Sequence, residues 1–385
     1  MVSFDYCNPV QLIFGEGTFN RLGEGPAPGE GHALLVTGRS AARRLGYLDR
    51  AVTMLRDRGL QVTVYDAVPS NPTDSIVDAG ATLAREAGCD LVVGLGGGSA
   101  MDAAKAIAVA AYHDLPVRAF LVPDERGTVR VPTDRTLPII CVTTTSGTSS
   151  ETTPYAVITL EDSRDKTAIR DRRVYPRVAI CDPELTYHVS PRTTAATGVD
   201  VLSHAVEAFT ALGAGPFTDQ ASAEAIRLVG LYLPRAVAAG TDKEARHYMS
   251  LANVFAGVGL SNCGVSMPHA LEHPVSGHYP EVAHGEGLAA LLVPFASACW
   301  EAQPEKFARV SSLLDGPHDA SAAAQTIKAF LGRVDLDIKL SHLGVERDML
   351  PHLADDALRY MAGAVDRTPG SPTRERLIEA LEASW

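Results

Sequence analysis

The sequence predicts an α/β domain built on a parallel sheet, followed by an all-helical domain. In the first half of the chain, short apolar runs rich in β-branched residues alternate with amphipathic stretches. This alternation is typical of parallel sheets that carry helices on both faces. After residues 190–198 the strand signals nearly vanish and long alanine-rich helical patterns follow. The predicted domains are residues 1–187 and residues 188–385.

Composition and charge narrow the function classes. The chain has 385 residues, 46% of them hydrophobic, which is enough for two domains with packed cores. Its net charge of -12 repels phosphate backbones, so no nucleic-acid partner is expected. No apolar run approaches the roughly 18 residues that span a bilayer, and the first residues lack a signal-peptide pattern. We therefore expect a cytoplasmic protein with no membrane partner, and six cysteines without a CxxC pair fit a reducing compartment.

The elements of the first domain follow in order along the chain. Strands are predicted at residues 33–38, 60–68, 137–144 and 178–182, and helices at 45–59 and 74–88. Residues 89–112 predict a strand, a glycine turn and a helix in succession. The loop at residues 69–75 follows a strand end, which is where α/β sheets bind ligands.

A glycine turn from Gly94 to Ser99 stands between a strand and a helix. Glycines let backbone N–H groups approach an anion closely, and a helix start favours a pyrophosphate. Asp102 lies in the first helical turn as a candidate cap. The spacing differs from GxGxxG, so the alternative is a glycine-rich turn without a ligand.

A second polar stretch covers residues 143–151, directly after the strand at 137–144. Its clustered hydroxyl groups suit contacts with phosphate or ribose. The alternative is a turn rich in Ser and Thr that caps the next helix.

A cluster of histidines lies in the second half of the chain. Asp200 and His204 are four residues apart, which places both on one face of a helix. His269 and His273 have the same spacing, and His284 follows His269 by 15 residues. One carboxylate with three imidazoles suits a divalent first-row cation that acts as a Lewis acid.

A rival motif overlaps this cluster. The residues from His269 to His273 match H-x-x-E-H, the inverted zinc-protease signature, with Glu272 as the general base. That hypothesis leaves the glycine turn and the polar stretch without a role.

Four motifs in one order resemble those of the iron-containing (group III) alcohol dehydrogenases. They are GGGSAMDAAKAIA, TTSGTSSETTPYAVIT, AATGVDVLSHAVEAF and HALEHPVSG followed by HG. The match is collinear and begins at residues 9–22. The resemblance implies a dehydroquinate synthase-like architecture, in which a dinucleotide-binding α/β domain and an all-helical domain flank the active site.

The resemblance also implies roles for individual residues. The metal ligands would be Asp200, His204, His269 and His284. His273 would lie near the nicotinamide and relay a proton. The remaining matched positions would bind the nucleotide: Asn71, Gly96, Gly97, Gly98, Ser99, Thr144, Thr145, Thr148 and Lys166, with Asp102 beside them.

The sequence departs from the family pattern at three places. The family's first strand often ends in Thr-Asp, whose Asp favours NAD, whereas this chain has Gly38, Arg39 and Ser40. Arg39 and Ser40 suit a 2′-phosphate, so NADP(H) is expected ahead of NAD(H). Ala100 replaces a proline of the glycine turn. The interval from His269 to His284 is 15 residues, whereas 14 residues is usual in the family, and this difference leaves His278 as a possible substitute ligand.

The resulting prediction is a metal-dependent, NAD(P)-linked alcohol dehydrogenase or aldehyde reductase. Its substrate would be a small primary alcohol or aldehyde, its ion Fe²⁺ with Zn²⁺ as the alternative, and its assembly a homodimer. A dehydroquinate synthase-like or glycerol dehydrogenase-like metal enzyme is the first alternative, and the zinc protease is the more remote one.

Overall fold

The computed structural model describes residues 4–24 and 31–385, so the first three residues and residues 25–30 of the first predicted domain lie outside it. Compact packing separates two units. The sheet unit comprises the described residues of 8–145 together with residues 150–186. The helical unit comprises residues 187–385 with residues 4–7 and 146–149. The predicted limits of 1–187 and 188–385 stay a prediction of domain organisation, because compact packing alone does not show independent folding.

The sheet unit contains a six-stranded parallel sheet in the order β1-β8-β5-β4-β2-β3 and an antiparallel hairpin of β6 and β7. The strands are β1 (Gln11–Phe14), β2 (His32–Gly38), β3 (Gln61–Val68), β4 (Leu91–Gly96), β5 (Ile139–Thr143), β6 (Tyr155–Thr159), β7 (Lys166–Arg170) and β8 (Val178–Cys181). Its helices are α1 (Ala41–Arg44), α2 (Tyr47–Asp57), α3 (Asp74–Glu86) and α4 (Gly98–Ala110).

The sheet buries both faces, as its apolar strands predict. Alternate residues of one strand enter different apolar clusters, so Leu34 packs on one face while Leu35 packs on the other. The predicted strands and helices of this half are confirmed within two or three residues at their ends. Strand β1 and the β6–β7 hairpin are additional to those read from the alternation of apolar runs.

The described elements of the helical unit are helical throughout. Its α-helices are α5 (Pro191–Thr210), α6 (Pro216–Ala238), α7 (Lys243–Cys263), α8 (Met267–His278), α9 (His284–Cys299), α10 (Pro304–Leu313), α11 (Ala323–Gly332), α12 (Leu350–Tyr360), α13 (Ala362–Arg367) and α14 (Arg374–Ser384). One large apolar cluster joins residues of these helices. None of the helices in the described residues combines the length and apolar composition needed to cross a bilayer.

Candidate metal centre and nucleotide site

Helix α5 presents three acidic or imidazole side chains on one face. Ser190 caps the helix by accepting a hydrogen bond from the backbone N–H of Thr193, and proline at the first turn favours the helical start. Asp200, His204 and Glu207 follow at intervals of four and three residues, so they stack along the same face. All three side chains are buried.

Three imidazole nitrogens surround one oxygen of Asp200. The Oδ1 atom lies 3.4 Å from His204 Nδ1, 3.5 Å from His269 Nε2 and 3.7 Å from His284 Nε2. Tetrahedral ligands at the usual 2.0–2.2 Å from a zinc-like ion would stand about 3.4 Å apart. Asp200, His269 and His284 each place one ligand atom within 4.8 Å of the others, so these three side chains suit a single divalent cation. His204 does not belong to that group, although its Nδ1 lies beside Asp200 Oδ1.

Buried polar atoms without hydrogen bonds in this cluster also favour a bound cation. Asp200 Oδ1, His204 Nδ1 and His269 Nε2 are buried and make no hydrogen bond with any residue that the structure describes. Buried polar atoms without such bonds carry a free-energy cost of about 1–3 kcal/mol each. A bound cation would offset that cost, so the residues fit the metal that the sequence predicts.

Charge within the cluster sets its protonation. Burial opposes ionisation of Asp200, but the surrounding imidazoles, His204 foremost, hold the pKa of its carboxyl below the ordinary value. Burial lowers the pKa of His204 to about 4, against the opposing effect of Asp200. Burial also disfavours a charged His269, yet Glu207 and Asp200 raise the pKa of this imidazole to about 10. His204 is therefore neutral near pH 7, the form that binds metals, while an ion must displace a proton from His269.

Two further carboxylates orient the histidines. Glu207 Oε1 accepts hydrogen bonds from His269 Nδ1 at 2.5 Å and from the Ser203 hydroxyl at 2.6 Å. Its other oxygen accepts from the backbone N–H of Ser266 at 2.7 Å. Such hydrogen bonds fix the ring and direct its other nitrogen towards a metal. Glu207 was not predicted from the sequence, although its spacing of three residues from His204 and seven from Asp200 was a usable signal.

Glu272 plays the corresponding part for His284, whose Nδ1 bonds to Glu272 Oε2. The carboxylate is fully buried. The protease hypothesis required Glu272 to act on an attacking water and His273 to share an ion with His269. The structure instead groups His269 with Asp200 and His284, and groups His273 with Glu272 and His284. It does not support the protease hypothesis.

The first turn of α9 lies very close to α5. A Cβ atom at Gly285 would stand 1.9 Å from the backbone oxygen of Ala196, and one at Gly287 would stand 2.9 Å from Glu272 Cγ. Side chains at these two positions would therefore push α9 away. The absence of Cβ atoms allows His284, the first residue of α9, to reach Asp200.

The extra residue before His284 does not change which histidine reaches Asp200. It is accommodated in the loop between α8 and α9, and the His284 ring still faces Asp200. His278, which we considered as a substitute ligand, instead bonds to Asp356. That expectation was wrong because α8 continues through His278 and turns its ring towards α12. The ring of His273 lies 5.7 Å from that of His284.

In the sheet unit, most predicted nucleotide-binding residues lie after the carboxyl ends of neighbouring parallel strands. Such an edge is the usual ligand site of an open α/β sheet. Gly38 and Gly96 are the last residues of β2 and β4. The residues that follow β2, β3, β4 and β5 there are Arg39, Ser40, Asn71, Gly97, Gly98, Ser99, Thr144 and Thr145.

The glycine turn and the threonine segment are directly joined. The backbone N–H of Thr144 donates to the carbonyl of Gly96 at 2.9 Å. A Cβ at Gly97 would stand 3.1 Å from Thr145 Oγ1, and one at Gly96 would stand 2.7 Å from the Cβ of Ala100. The turn therefore brings backbone N–H groups at the start of α4 beside threonine hydroxyls, an arrangement that suits a pyrophosphate.

A buried lysine anchors the segment that follows. Lys105 Nζ donates to the backbone oxygens of Ser150, Thr153 and Tyr155 at 2.5, 2.9 and 2.8 Å. Asp102, one turn earlier on α4, accepts from the Ser150 hydroxyl at 2.6 Å. Burial raises the pKa of this carboxyl. Asp102 and Lys105 therefore both support the segment from Ser150 to Tyr155, and Lys105 was not predicted from the sequence.

Two other predicted residues lie apart from the strand ends. Lys166 begins β7, where its register partner Thr159 also bridges Thr73, near Asn71. Thr148 belongs to the helical unit; on either side of it, the backbone N–H groups of Gly147 and Ser149 donate to Asn253 Oδ1. Asn71 has a left-handed backbone with φ of 52°.

The end of β2 is basic. Arg39 Nε donates to the carbonyl of Ala67 at 3.1 Å, and Arg43 pairs with Asp66 at 2.6 Å. Ser40 stands at the start of α1. Position 38, the last residue of β2, is a glycine and carries no charge.

Comparison with known proteins agrees with this arrangement. The family model for iron-containing alcohol dehydrogenases matches residues 9–183, and the model for their C-terminal region matches residues 194–385. The 1,3-propanediol dehydrogenase of Citrobacter freundii is 36% identical over 366 residues, 92% of each chain. Long-chain-alcohol dehydrogenase 1 of Geobacillus thermodenitrificans is 37% identical over 340 residues, 86% of this chain and 84% of that protein.

A solved structure matches the whole chain. The archaeal halo-thermophilic Red Sea brine pool alcohol dehydrogenase ADH/D1 has a TM-score of 0.96 and 38% identity, covering 100% of both chains. These matches define an alcohol dehydrogenase, an oxidoreductase with a metal and a nicotinamide-type cofactor. More narrowly, the chain belongs to the iron-containing alcohol dehydrogenase family. The predicted family, the enzyme class and the dehydroquinate synthase-like fold are confirmed.

Proposed function

We propose that the enzyme interconverts small primary alcohols and aldehydes with NADP(H), using Fe²⁺ held by Asp200, His204, His269 and His284. The observation that carries this proposal is the convergence of three imidazole nitrogens on Asp200 Oδ1, at 3.4–3.7 Å. Zn²⁺ has the same preference for imidazole and carboxylate, so it is the alternative ion.

When bound, the ion supplies Lewis acidity towards the oxygen of the substrate. The protein holds the donor atoms in fixed positions. Glu207 and Glu272 orient two of the imidazoles, and burial keeps His204 neutral. Since these side chains are fixed by helix packing and hydrogen bonds, little reorganisation is needed during the reaction.

The alcohol proton needs an acceptor when hydride leaves the carbinol carbon. We assign that role to His273. It lies one helical turn after His269, and its ring is 6.2 Å from the His269 ring and 5.7 Å from the His284 ring. A neutral imidazole accepts a proton near pH 7, and in aldehyde reduction it returns one.

The choice of NADP(H) rests on the basic end of β2. Arg39 and Ser40 offer a guanidinium and a hydroxyl group that suit the 2′-phosphate of NADP(H). A carboxylate at position 38 would instead favour the free ribose hydroxyl of NAD(H), and this chain has a glycine there. Asp66, the neighbouring carboxylate, is paired with Arg43. The glycine turn and Thr144–Thr145 would hold the pyrophosphate and adjacent groups.

The test is a panel of alcohols and aldehydes assayed with NADPH and NADH on protein reconstituted separately with Fe²⁺ and Zn²⁺. We expect net appearance or consumption of the reduced nucleotide with small primary alcohols or aldehydes, highest with Fe²⁺ and NADP(H). If metal-replete protein turns over neither nucleotide with any of these compounds, the proposal is wrong. A dehydroquinate synthase-like enzyme would also give no net reduced nucleotide. The cytoplasmic location and the homodimer stay predictions.

A further inference from the structure

A second group of imidazole and carboxylate side chains lies away from Asp200. His278 is the last residue of α8, and His352 and Asp356 are one turn apart on α12. Asp356 Oδ2 lies 2.8 Å from His278 Nε2 and 3.7 Å from His352 Nε2. One ligand atom from each residue falls within 4.8 Å of the other two. Two helices therefore direct two imidazoles at the same carboxylate oxygen.

The orientation of Asp356 is fixed from its other side. Its Oδ1 accepts a hydrogen bond from Arg359 Nη2 at 2.6 Å. This hydrogen bond holds Oδ1 towards Arg359 and leaves Oδ2 facing the two histidines. The side chain of Asp356 is 4% exposed, so its position is set by packing as well as by this ion pair.

The two imidazoles remain accessible to ions from solvent. The side chains of His278 and His352 are 20% and 54% exposed, and their ring centroids are 5.1 Å apart. Of the two imidazoles, His278 forms a hydrogen bond with Asp356. The second imidazole, 3.7 Å from Oδ2, is too far for a hydrogen bond but close enough to share a metal.

We propose that His278, His352 and Asp356 form a second binding site, for Zn²⁺ or a similar divalent cation. Two neutral imidazoles and one carboxylate oxygen favour such ions over Mg²⁺ and Ca²⁺, which prefer all-oxygen ligands. Water would complete the coordination. On binding, the proton on Nε2 of His278 moves through solvent to Nδ1 of the same ring, and Nε2 exchanges its hydrogen bond with Asp356 for a bond to the metal. The nearby Arg359 charge reduces the affinity, so the site binds more weakly than the buried cluster around Asp200.

Such a site would connect the end of α8 with α12. Helix α8 also carries His269 and His273, and α12 packs against α8. Occupation would therefore reduce the freedom of α8 without adding a group to the reaction.

The test measures bound metal in the zinc-loaded enzyme by equilibrium dialysis over a range of free Zn²⁺ concentrations. We expect the wild-type chain to bind a second, weaker equivalent. The substitution His352→Gln should weaken that equivalent by at least about tenfold, because even residues behind metal ligands contribute this much to affinity. The matched control His318→Gln removes an exposed histidine elsewhere and should retain both equivalents.

A second measurement locates the ion. Anomalous diffraction at the zinc edge should give a peak between His278 Nε2, His352 Nε2 and Asp356 Oδ2 in wild-type crystals and none in His352→Gln crystals. The proposal is overturned if the variant and the wild-type chain bind equal zinc at every concentration, or if the second peak lies elsewhere. Because bound metal is counted directly, the result does not depend on which alcohol the enzyme oxidises.

Discussion

Glu207 and Glu272 determine which nitrogen of each neighbouring histidine faces Asp200. Each carboxylate bonds to an Nδ1 atom, on His269 and His284 respectively. The Nε2 atoms of both rings therefore face Asp200 Oδ1. Although neither glutamate is a proposed ligand, both are positioning residues for the metal centre.

Replacing Glu207 tests this role. We expect Glu207→Gln to weaken metal binding by about 10–100-fold, since the amide no longer provides the charged acceptor that orients His269. Competition with a chromogenic chelator measures the affinity. Glu224→Gln, at a partly exposed position on α6, is the control and should leave the affinity unchanged. Equal affinities for both variants would show that Glu207 does not position the ligand.

A single residue at the end of β2 should change nucleotide preference. We expect Gly38→Asp to lower kcat/KM with NADPH by tenfold or more, about 1.4 kcal/mol, because the new carboxylate repels a 2′-phosphate. Activity with NADH should fall less or rise, and initial rates with both nucleotides measure the ratio. Gly332→Asp, at a glycine with open space around it and without a left-handed backbone, is a control for added charge. An unchanged ratio in Gly38→Asp would remove the argument for NADP(H).

Sequence spacing identified the histidines and the aspartate that the structure brings together. Asp200 and His204 share a helix, so their proximity follows from local geometry. The proximity of these two residues to His284 does not follow from local geometry, because the position of His284 depends on how closely α9 approaches α5. The sequence could therefore suggest His278 as a substitute ligand, and only the direction of its ring towards Asp356 excludes it from the Asp200 cluster.

At the scale of elements, the contact between α9 and α5 controls the position of His284. We expect Gly285→Ala to destabilise the fold by about 1–3 kcal/mol and to weaken metal binding, since its Cβ would overlap the Ala196 backbone. Urea unfolding and chelator competition measure the two effects. Gly332→Ala is the control, because nothing lies within 4 Å of its Cβ and alanine suits a helix end. If both variants match the wild-type chain, the close approach does not constrain the site.

The sequence predicted elements best where strand and helix patterns alternate. Strand β1 was missed because it is only four residues long and partly exposed, and its pairing with β8 is distant in sequence. The β6–β7 hairpin was not predicted from apolar periodicity because β7 (KTAIR) is polar at both ends, although β6 (YAVIT) is an apolar run. Lys166 was predicted only from the family resemblance, because a single lysine in a short polar strand has no distinguishing pattern of its own. Long helices such as α5 were predicted because their periodicity extends over several turns.

For the whole molecule, metal binding should raise thermal stability. The proposed ion joins side chains from α5, α8 and α9, and binds the folded state in preference to the unfolded chain. At a free metal concentration 1,000 times Kd, we expect a gain of about 4 kcal/mol. Calorimetry of chelator-treated and metal-saturated protein should therefore give a higher Tm for the saturated form.

This comparison is best made in the His352→Gln background, where the proposed second cation site is removed. Asp200→Asn in the same background is the control, and its Tm should respond little to metal. An identical Tm with and without metal in the His352→Gln protein would mean that the Asp200 cluster does not hold an ion.

Lys105 anchors the segment from Ser150 to Tyr155, and this has a consequence for how the sequences of relatives can diverge. The ammonium group donates to three main-chain oxygens, which every amino acid provides. The contacts with Lys105 therefore do not depend on which side chains stand at positions 150, 153 and 155, although the Ser150 hydroxyl also donates to Asp102. Position 105 cannot vary in the same way, because a shorter or uncharged side chain would leave three carbonyl oxygens without their hydrogen-bond donor.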